Sequence, residues 1–529
     1  MHACLLIPEI VKLIFTNIYV YGTDGSLVNF GDHSFQRVAR RSLAALSRAC
    51  RSFKDIALDA LWVKLDNLEP LFACLPRDLW TMTGDRKLLI KRPVTTADWS
   101  VFEQYASRVR ILGNVDSDLF GGIDSEFVYA MMGFCSQSLL LPNLRTLYCK
   151  GYPHVLHPCM RYLLGPNLVY LLLVPPTEGF WSNIMPSVLS GLSRHSPQLE
   201  VVEFVGPYAM CPRVSELALC GLKHLRKVTL VLPSRGDLSW LSRLIGLQEL
   251  RITLAGILPP LRSQFRTSYL DKLVIRSFNW TSSGSSVAGW VVPCRQLQLI
   301  PAFSESAVAV ECVLRMLDKR LLFDVLEHIL LDVVLEPADH IDNAFTLQTF
   351  SPLMRFSGLK EVDLSTFCIS LLDDDDLGSI VKSWPRLECL HLGTRCFWQT
   401  PPKITFRGLV ALLSTCPNLR NLGLVFDATK VDSPTAEKPG RGVRNTNITS
   451  FHVGFSPIEQ PLQVAVALSA VLPCLGEFSV ESLLSGGPGR AEREAKWGEV
   501  LEHISHTLIK KEESKATGSE TRGLRRRST

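Results

Sequence analysis

The run "LLDDDDLGS" places four carboxylates, Asp373 to Asp376, side by side. Clustered carboxylates are the ligands a hard cation such as calcium takes. The run also stands directly before an apolar-periodic stretch. There an aspartate caps orphan N–H groups, and negative charge suits the helix dipole. We therefore read a helix start and not a metal site. His154, His157 and Cys159 in "HVLHPC" have zinc-ligand types but no second ligand pair at a suitable spacing; His503 and His506 fare the same. The glycines of "SGGPGRAER" lack the Lys-Ser/Thr step of a phosphate loop. "TSSGSSVAG" is turn-rich, and no G-x-S-x-G elbow occurs. The 15 cysteines contain no C-x-x-C pair and read as reduced thiols. No metal, no cofactor and no catalytic residue is expected, so the chain reads as a non-enzyme whose work is binding.

The totals agree with that reading. In 529 residues, 47% are apolar and 20% charged, enough to bury a core in several domains or one long repeat array. The net charge of +5 is small and is partly carried by the final "RGLRRRST". No nucleic-acid-binding signature accompanies it, and no nucleic acid is expected. Near the start, "IPEIVKLIFTNI" has no basic segment before it and is broken by Glu9 and Lys12. It falls short of the roughly 20 apolar residues of a membrane span. No membrane partner is expected, and with reduced thiols the location expected is cytoplasmic or nuclear. The sequons at Asn279 and Asn447 then go unused.

What remains is how apolar residues are spaced. Ile7, Ile10, Val11, Ile14, Phe15 and Ile18 make one helical stripe, and Pro8 suits the first helical position. After a turn-rich loop over about 19–40, helical spacing resumes with Leu43, Leu46, Cys50 and Phe53 on one face. Ala57, Leu61 and Trp62 follow in a third segment. These make a compact helical module over residues 1–65. A bundle this small rarely hides every apolar residue it carries.

From residue 141 an L-x-x-L-x-L pattern recurs, as in "LPNLRTLYC", "WPRLECLHL" and "CPNLRNLGL". Its opening apolar positions are Leu144, Leu168, Leu199, Leu225, Leu247, Leu270, Leu326, Leu359, Leu387, Leu419, Ile448 and Leu475. The step from Leu270 to Leu326 is about twice the others, and "CRQLQLI" near Leu297 is a weak candidate for the missing unit. Helix-like stretches such as "DDDDLGSIVKSW", "FRGLVALLSTC" and "PLQVAVALSAVL" lie between. A strand and a helix repeating every 20–30 residues mark leucine-rich repeats, whose units bury their apolar edges by stacking. The fold class expected is α/β. A small helical module comes first, then a connector and first cap over 66–140. An irregular leucine-rich-repeat solenoid follows over 141–484, with parallel strands on its concave face and helices on its convex face. A helix and a disordered basic tail fill 485–529. The Asn usual after the last leucine is missing, with Pro176, Pro207, Pro233, Phe367 and Asp427 in its place, so uneven turns are expected.

Strand alternation assigns the faces. Leu147 and Cys149 point to the core; Thr146, Tyr148 and Lys150 point to the open side. The same count opens Tyr170 and Leu172, Glu203, Lys227 and Thr229, Glu249 and Arg251, Glu361 and Asp363, His391, and Asn421. These are the candidate surface for a cargo protein.

The N-terminal order Ile7-Pro8-Glu9-Ile10, Ile14-Phe15, Leu43 with Leu46, Cys50-Arg51-Ser52-Phe53, and Trp62 resembles an F-box. Together with loose repeats, including "PPKITFRGLVALLSTCPNLRNLGL", it is similar to the large fungal (basidiomycete-type) family of F-box proteins. The resemblance implies a substrate-recruiting subunit of a cullin-based (SCF-type) ubiquitin ligase. In it a Skp-type adaptor would bind through Ile7, Pro8, Ile10, Val11, Ile14, Phe15, Leu43, Leu46, Cys50, Phe53 and Trp62, and an unidentified cargo would bind through the repeats. The alternative is a repeat scaffold with no part in ubiquitin ligation, whose N-terminal helices cap the array.

Overall fold

A computed structural model describes residues 7–18, 33–114, 118–134, 139–150, 159–174, 185–206, 212–232, 239–254, 265–266, 269–279, 281, 290–291, 293–303, 306–318, 325–333, 344–367, 370–395, 398, 400–431, 439–480 and 489–505. The chain divides into two compact units, one over 1–232 with 243–247 and one over 233–242 with 248–529.

The first unit opens with helices α1 (Pro8–Ile18), α2 (His33–Ala49) and α3 (Arg51–Trp62). Helix α2 begins at His33, so the loop expected to reach residue 40 ends earlier; residues 19–32 lie outside the described residues. Cys50 stands extended between α2 and α3, at φ −156 and ψ 161, and breaks the helix in one residue. Val11 and Phe15 of α1, Leu43 of α2 and Ala57 of α3 form the bundle core, with Leu46, Phe53, Ile56, Ala60 and Leu61 packed around it. Phe15 meets Phe53 edge-on at 5.5 Å, a geometry aromatic quadrupoles favour.

Parallel strands follow at Lys64–Leu65, Ile111–Leu112, Thr146–Lys150, Tyr170–Val174, Val201–Phe204 and Lys227–Leu232, each paired with the next. The array therefore starts ahead of residue 141, inside what reads from sequence as a connector. The connector also holds an antiparallel hairpin, Trp80–Met82 with Leu88–Ile90. One hydrogen-bond motif recurs at each strand entry. The N–H groups of Arg110 and Ile111 both donate to the Val63 carbonyl, those of Arg145 and Thr146 to Arg110, and those of Val169 and Tyr170 to Arg145. By this count Trp62, just before Val63, holds the place that Leu144 and Leu168 hold further along. The last residue of α3 is thus also the first of the described rungs of the array.

In the second unit strands run at Glu249–Leu254, Leu270–Ser277, Cys294–Pro301, His328–Leu331, Glu361–Leu364, Cys389–Leu392, Asn421–Leu424, Ser450–Gly454 and Glu477–Val480, again parallel and in sequence order. Helices Asp374–Lys382, Phe406–Thr415 and Pro461–Val471 connect them. One strand per unit, paired in order and alternating with helices, is the leucine-rich-repeat type of architecture. Every opening position from Leu144 to Leu475 is buried. The weak candidate near Leu297 is a full strand. Its opening position is Cys294, in register with Leu270 and 2% exposed. Where the Asn of regular repeats is missing, other side chains fill the turn. Phe367 packs on Phe345 and Phe350 at 4.7 and 5.6 Å, and Asp427 accepts the Thr429 N–H at 3.1 Å.

The residues that follow the opening position at successive strand entries alternate in sign: Asp271, Arg295, Glu327, Lys360, Glu388, Arg420. Arg295 and Lys360 reach the same Glu327 oxygen, Oε2, at 2.8 and 3.1 Å. A slipped unit would set like charges together, so the ladder favours one register. Glu327→Lys puts three cations in a row. We expect its urea midpoint to drop by about 0.2–0.3 M at low ionic strength. Most of that loss should return in about 1 M salt, where screening acts within roughly 3 Å. A drop indifferent to salt would exclude an electrostatic cause.

Candidate docking surfaces

The apolar stripe of α1 is wider than its contact with the bundle. Val11 and Phe15 face inward at 2% and 4% exposure, whereas Ile7, Leu13 and Ile14 stand 44%, 63% and 41% exposed. Pro8 is exposed and Ile10 half-buried. At 100° per residue, positions 7, 10, 13 and 14 share one side. Val38 on α2 adds another exposed apolar side chain. Leu46, Cys50 and Phe53 are half-buried; the side chain of Ile18 lies outside the described residues.

This divides the candidate adaptor residues. Val11, Phe15 and Leu43 are interior and hold the bundle together, so they offer no surface. Trp62, 8% exposed, lies against Tyr105 at 4.8 Å between ring centroids and seats α3 on the array. Leu13 and Val38 fall outside the F-box pattern, and their exposure became visible only with the bundle assembled. Further contacts fix the module. Arg108 donates to the Asp55 carbonyl and carboxylate at 3.1 and 2.9 Å and also pairs with Asp59. Arg40 pairs with Asp66 at 2.8 Å.

On the sheet of the first unit the alternation holds over Thr146–Lys150, with Leu147 and Cys149 buried and the other three half-buried. Tyr148 and Tyr170 pack at 5.2 Å. Tyr170 donates its hydroxyl to Glu203 at 3.2 Å, and Glu203 takes Lys227 at 2.7 Å. Burial, then the Glu203 charge, pushes the Tyr170 phenol above its ordinary range. Leu172 departs from the expected exposure. It is 7% exposed, flanked in register by Tyr148 and Glu203, whose larger side chains shield it. Thr229 is half-buried.

On the second unit Glu249 pairs with Arg251, and Glu361 takes His328 Nδ1 at 2.8 Å. Asp363 accepts the Ser365 N–H at 3.0 Å and faces Arg395 at 4.0 Å. Asn421 is exposed. His391 lies across Gly423, where a Cβ would come within 2.2 Å of its Nδ1, and its ring sits 6.4 Å from that of His452. Burial lowers both imidazoles, and in His452 the neighbouring His391 adds to the effect. Gly423 and His452 escape a reading of charged positions because the notch exists only once the strands are in register.

The aspartate run caps a helix. Asp373 accepts the N–H groups of Asp375 and Asp376 at 3.0 and 2.9 Å. Asp374 takes both the N–H and the hydroxyl of Thr405 at 2.7 Å, joining adjacent helices. Cys159 is buried; His154, His157 and His506 lie outside the described residues. Among the described residues, no group of three His, Cys, Asp or Glu is placed to hold a metal ion, and no helix is long and apolar enough to cross a membrane.

No family model and no curated protein matches the chain. Solved structures similar to it include an internalin from Listeria monocytogenes, at 13% identity over 70% of this chain and 93% of that one, with a TM-score of 0.33. The Rad7 and Elc1 complex in yeast is 13% identical over 82% and 91%, with a TM-score of 0.32. The TLR13–ssRNA13 complex is 12% identical over 72% and 57%, with a TM-score of 0.26. Similarity this loose adds nothing to the fold, whose leucine-rich-repeat type rests on the strand order and register within each unit.

Proposed function

We propose that this chain recruits a cargo protein to a cullin-based ubiquitin ligase, with the outer face of α1 docking the Skp-type adaptor and the open side of the strands holding the cargo. The observation that carries the reading is the division of α1. Among the described side chains, Val11 and Phe15 anchor it, and the apolar side formed by Ile7, Ile10, Leu13 and Ile14 is left over. Burying each such side chain contributes roughly 1.5–3 kcal/mol before association costs, and a helix of this kind fits a groove on a partner. The chain contributes no bond-making step in this reading. It raises the effective concentration of cargo at the site of transfer, and that gain depends on a stiff joint. Trp62 on Tyr105 and Arg108 between Asp55 and Asp59 supply the stiffness within the first unit.

The test uses the full chain with Ile10→Asp and Ile14→Asp together, passed over immobilised adaptor. Both positions lie outside the bundle core, so melting should be nearly unchanged while retention falls about 50-fold or more. Unchanged retention would leave the second reading, a scaffold outside the ligase. That reading draws its support from Trp62, which ends α3, packs on Tyr105 and stands at the first of the described strand entries.

A further inference from the structure

Along the sheet of the second unit, the outward positions pass from Glu361 and Asp363 to Cys389 and His391, then Asn421 and Gly423, Ser450 and His452, and Glu477 and Ser479. Gly423 alone among these lacks a side chain, and the His391 ring occupies the space a Cβ would need. The His452 ring stands beyond it at 66° to that of His391. Its Nε2 is buried without a hydrogen-bond partner, an unfavourable condition that a donor would relieve. The charged groups around these rings are Asp363 and Arg395, and the Val480 backbone faces His452. Glu361, more than half exposed, and Glu477 extend the acidic side. Three carboxylates against one guanidinium leave this patch net negative while the imidazoles are neutral.

We propose that the patch binds an extended peptide segment through a lysine or arginine side chain seated over Gly423 between His391 and His452, with Asp363 and Glu361 as its counter-charges. The inference rests on the open strand face being the cargo surface and names the chemistry of the cargo. An ammonium or guanidinium is all donor, and a neutral imidazole presents an acceptor nitrogen. Carboxylates add charge-assisted bonds. A phosphorylated or acidic segment would meet like charge here, and an apolar one would leave the acceptors unpaired. The missing side chain at residue 423 is what lets the His391 ring lie across the neighbouring strand, and so holds that imidazole in the seat. Both histidines hold pKa values below the ordinary imidazole value because they are buried, so they remain acceptors at pH 7. In acid they take protons, become donors and repel the cation. Asp363 and Glu361 still attract it and Arg395 opposes it, so binding weakens with acid but survives in part.

The probe is a random dodecapeptide library displayed on phage and selected on the full chain at pH 7.5, followed by fluorescence polarisation of the enriched peptides. Enriched peptides should carry a lysine or arginine whose replacement by norleucine or citrulline weakens binding at least tenfold. Asp363→Asn and Gly423→Val should each weaken it about tenfold with circular dichroism unchanged, and acidification to below the ordinary imidazole range should weaken it further as the two rings take protons. Asp363→Asn stands alone if Gly423→Val fails to fold. Enrichment of acidic or apolar peptides, no enrichment at all, or binding indifferent to Asp363→Asn would overturn the proposal. Adaptor retention is measured on the same protein. Its absence beside normal peptide binding would remove the ligase reading and leave this one standing.

Discussion

Trp497→Ala will lower the unfolding free energy of the chain by about 4 kcal/mol, the cost of truncating a large buried aromatic. Trp497 lies in the helix over 490–505, whose Val500 and Ile504 share its buried side. Its ring sits 5.3 Å from Phe478 and 6.2 Å from Phe426, and its indole N–H donates to the Ser456 carbonyl at 3.1 Å. The last of the described strands, Glu477–Val480, has no fully buried residue of its own. A terminal repeat offers its apolar edge to no further repeat, so something else must cover it; this helix does. Trp497→Phe should cost less than half as much, since it keeps the ring contacts and loses mainly the hydrogen bond. Urea unfolding gives both numbers, and hydrogen exchange should show the strands at Ser450–Gly454 and Glu477–Val480 opening first in the alanine variant. A cost under about 1 kcal/mol would mean that the helix is an ornament and the array closes by other means.

The repeats were legible because leucine recurs at a fixed place in each strand entry, and a buried stack demands an apolar residue there whatever its neighbours do. They became illegible where another residue type met the same demand. Cys294 hid one unit. Trp62 and Val109 hid the first two, whose strands are only two residues long. Trp62 was doubly obscured because it also ends a helix, and a local pattern cannot report two roles for one side chain. Strand alternation placed the inward residues well and overstated the openness of the outward ones. In a parallel stack each outward side chain lies beside its equivalents, as Leu172 does between Tyr148 and Glu203, and the smaller one is shielded by the larger ones. For α1 the sequence showed an apolar stripe but not its division. Which half faces inward is decided by where α2 and α3 place Leu43 and Ala57, and that is a fact of assembly. The His391–Gly423–His452 arrangement was out of reach for the same reason, since a glycine signals nothing until the strands on either side are aligned with it.

Phe102→Ala will cost about 4 kcal/mol as well, and its consequences should reach further than its position suggests. Phe102 is fully buried in the helix Thr96–Ala106, stacked on Trp99 at 5.1 Å and edge-on to Phe72 at 5.9 Å, with Phe72 in turn against Phe127. A void walled by rings cannot collapse easily, which puts the cost near the middle of the usual range. The helix start is held by a capping box between Thr95 and Asp98, and Arg92 grips both Asp98 oxygens at 2.7 and 3.0 Å. Arg92 holds that carboxyl well below the usual carboxylate range, so the clamp is present at neutral pH and fails only in strong acid. The start of the helix is therefore rigid, and the strain of the void passes to its other end. There Tyr105 supports Trp62, and Arg108 holds Asp55 and Asp59 of α3. In the variant, hydrogen exchange should quicken over 51–65 as well as over 96–106. The core of Val11, Phe15, Leu43 and Ala57 is separate, so adaptor retention should persist while cargo ubiquitination falls. If exchange quickens within 69–134 and α3 is untouched, the helical module is not seated on this helix. The proposed mechanism then loses the stiff joint on which effective concentration depends.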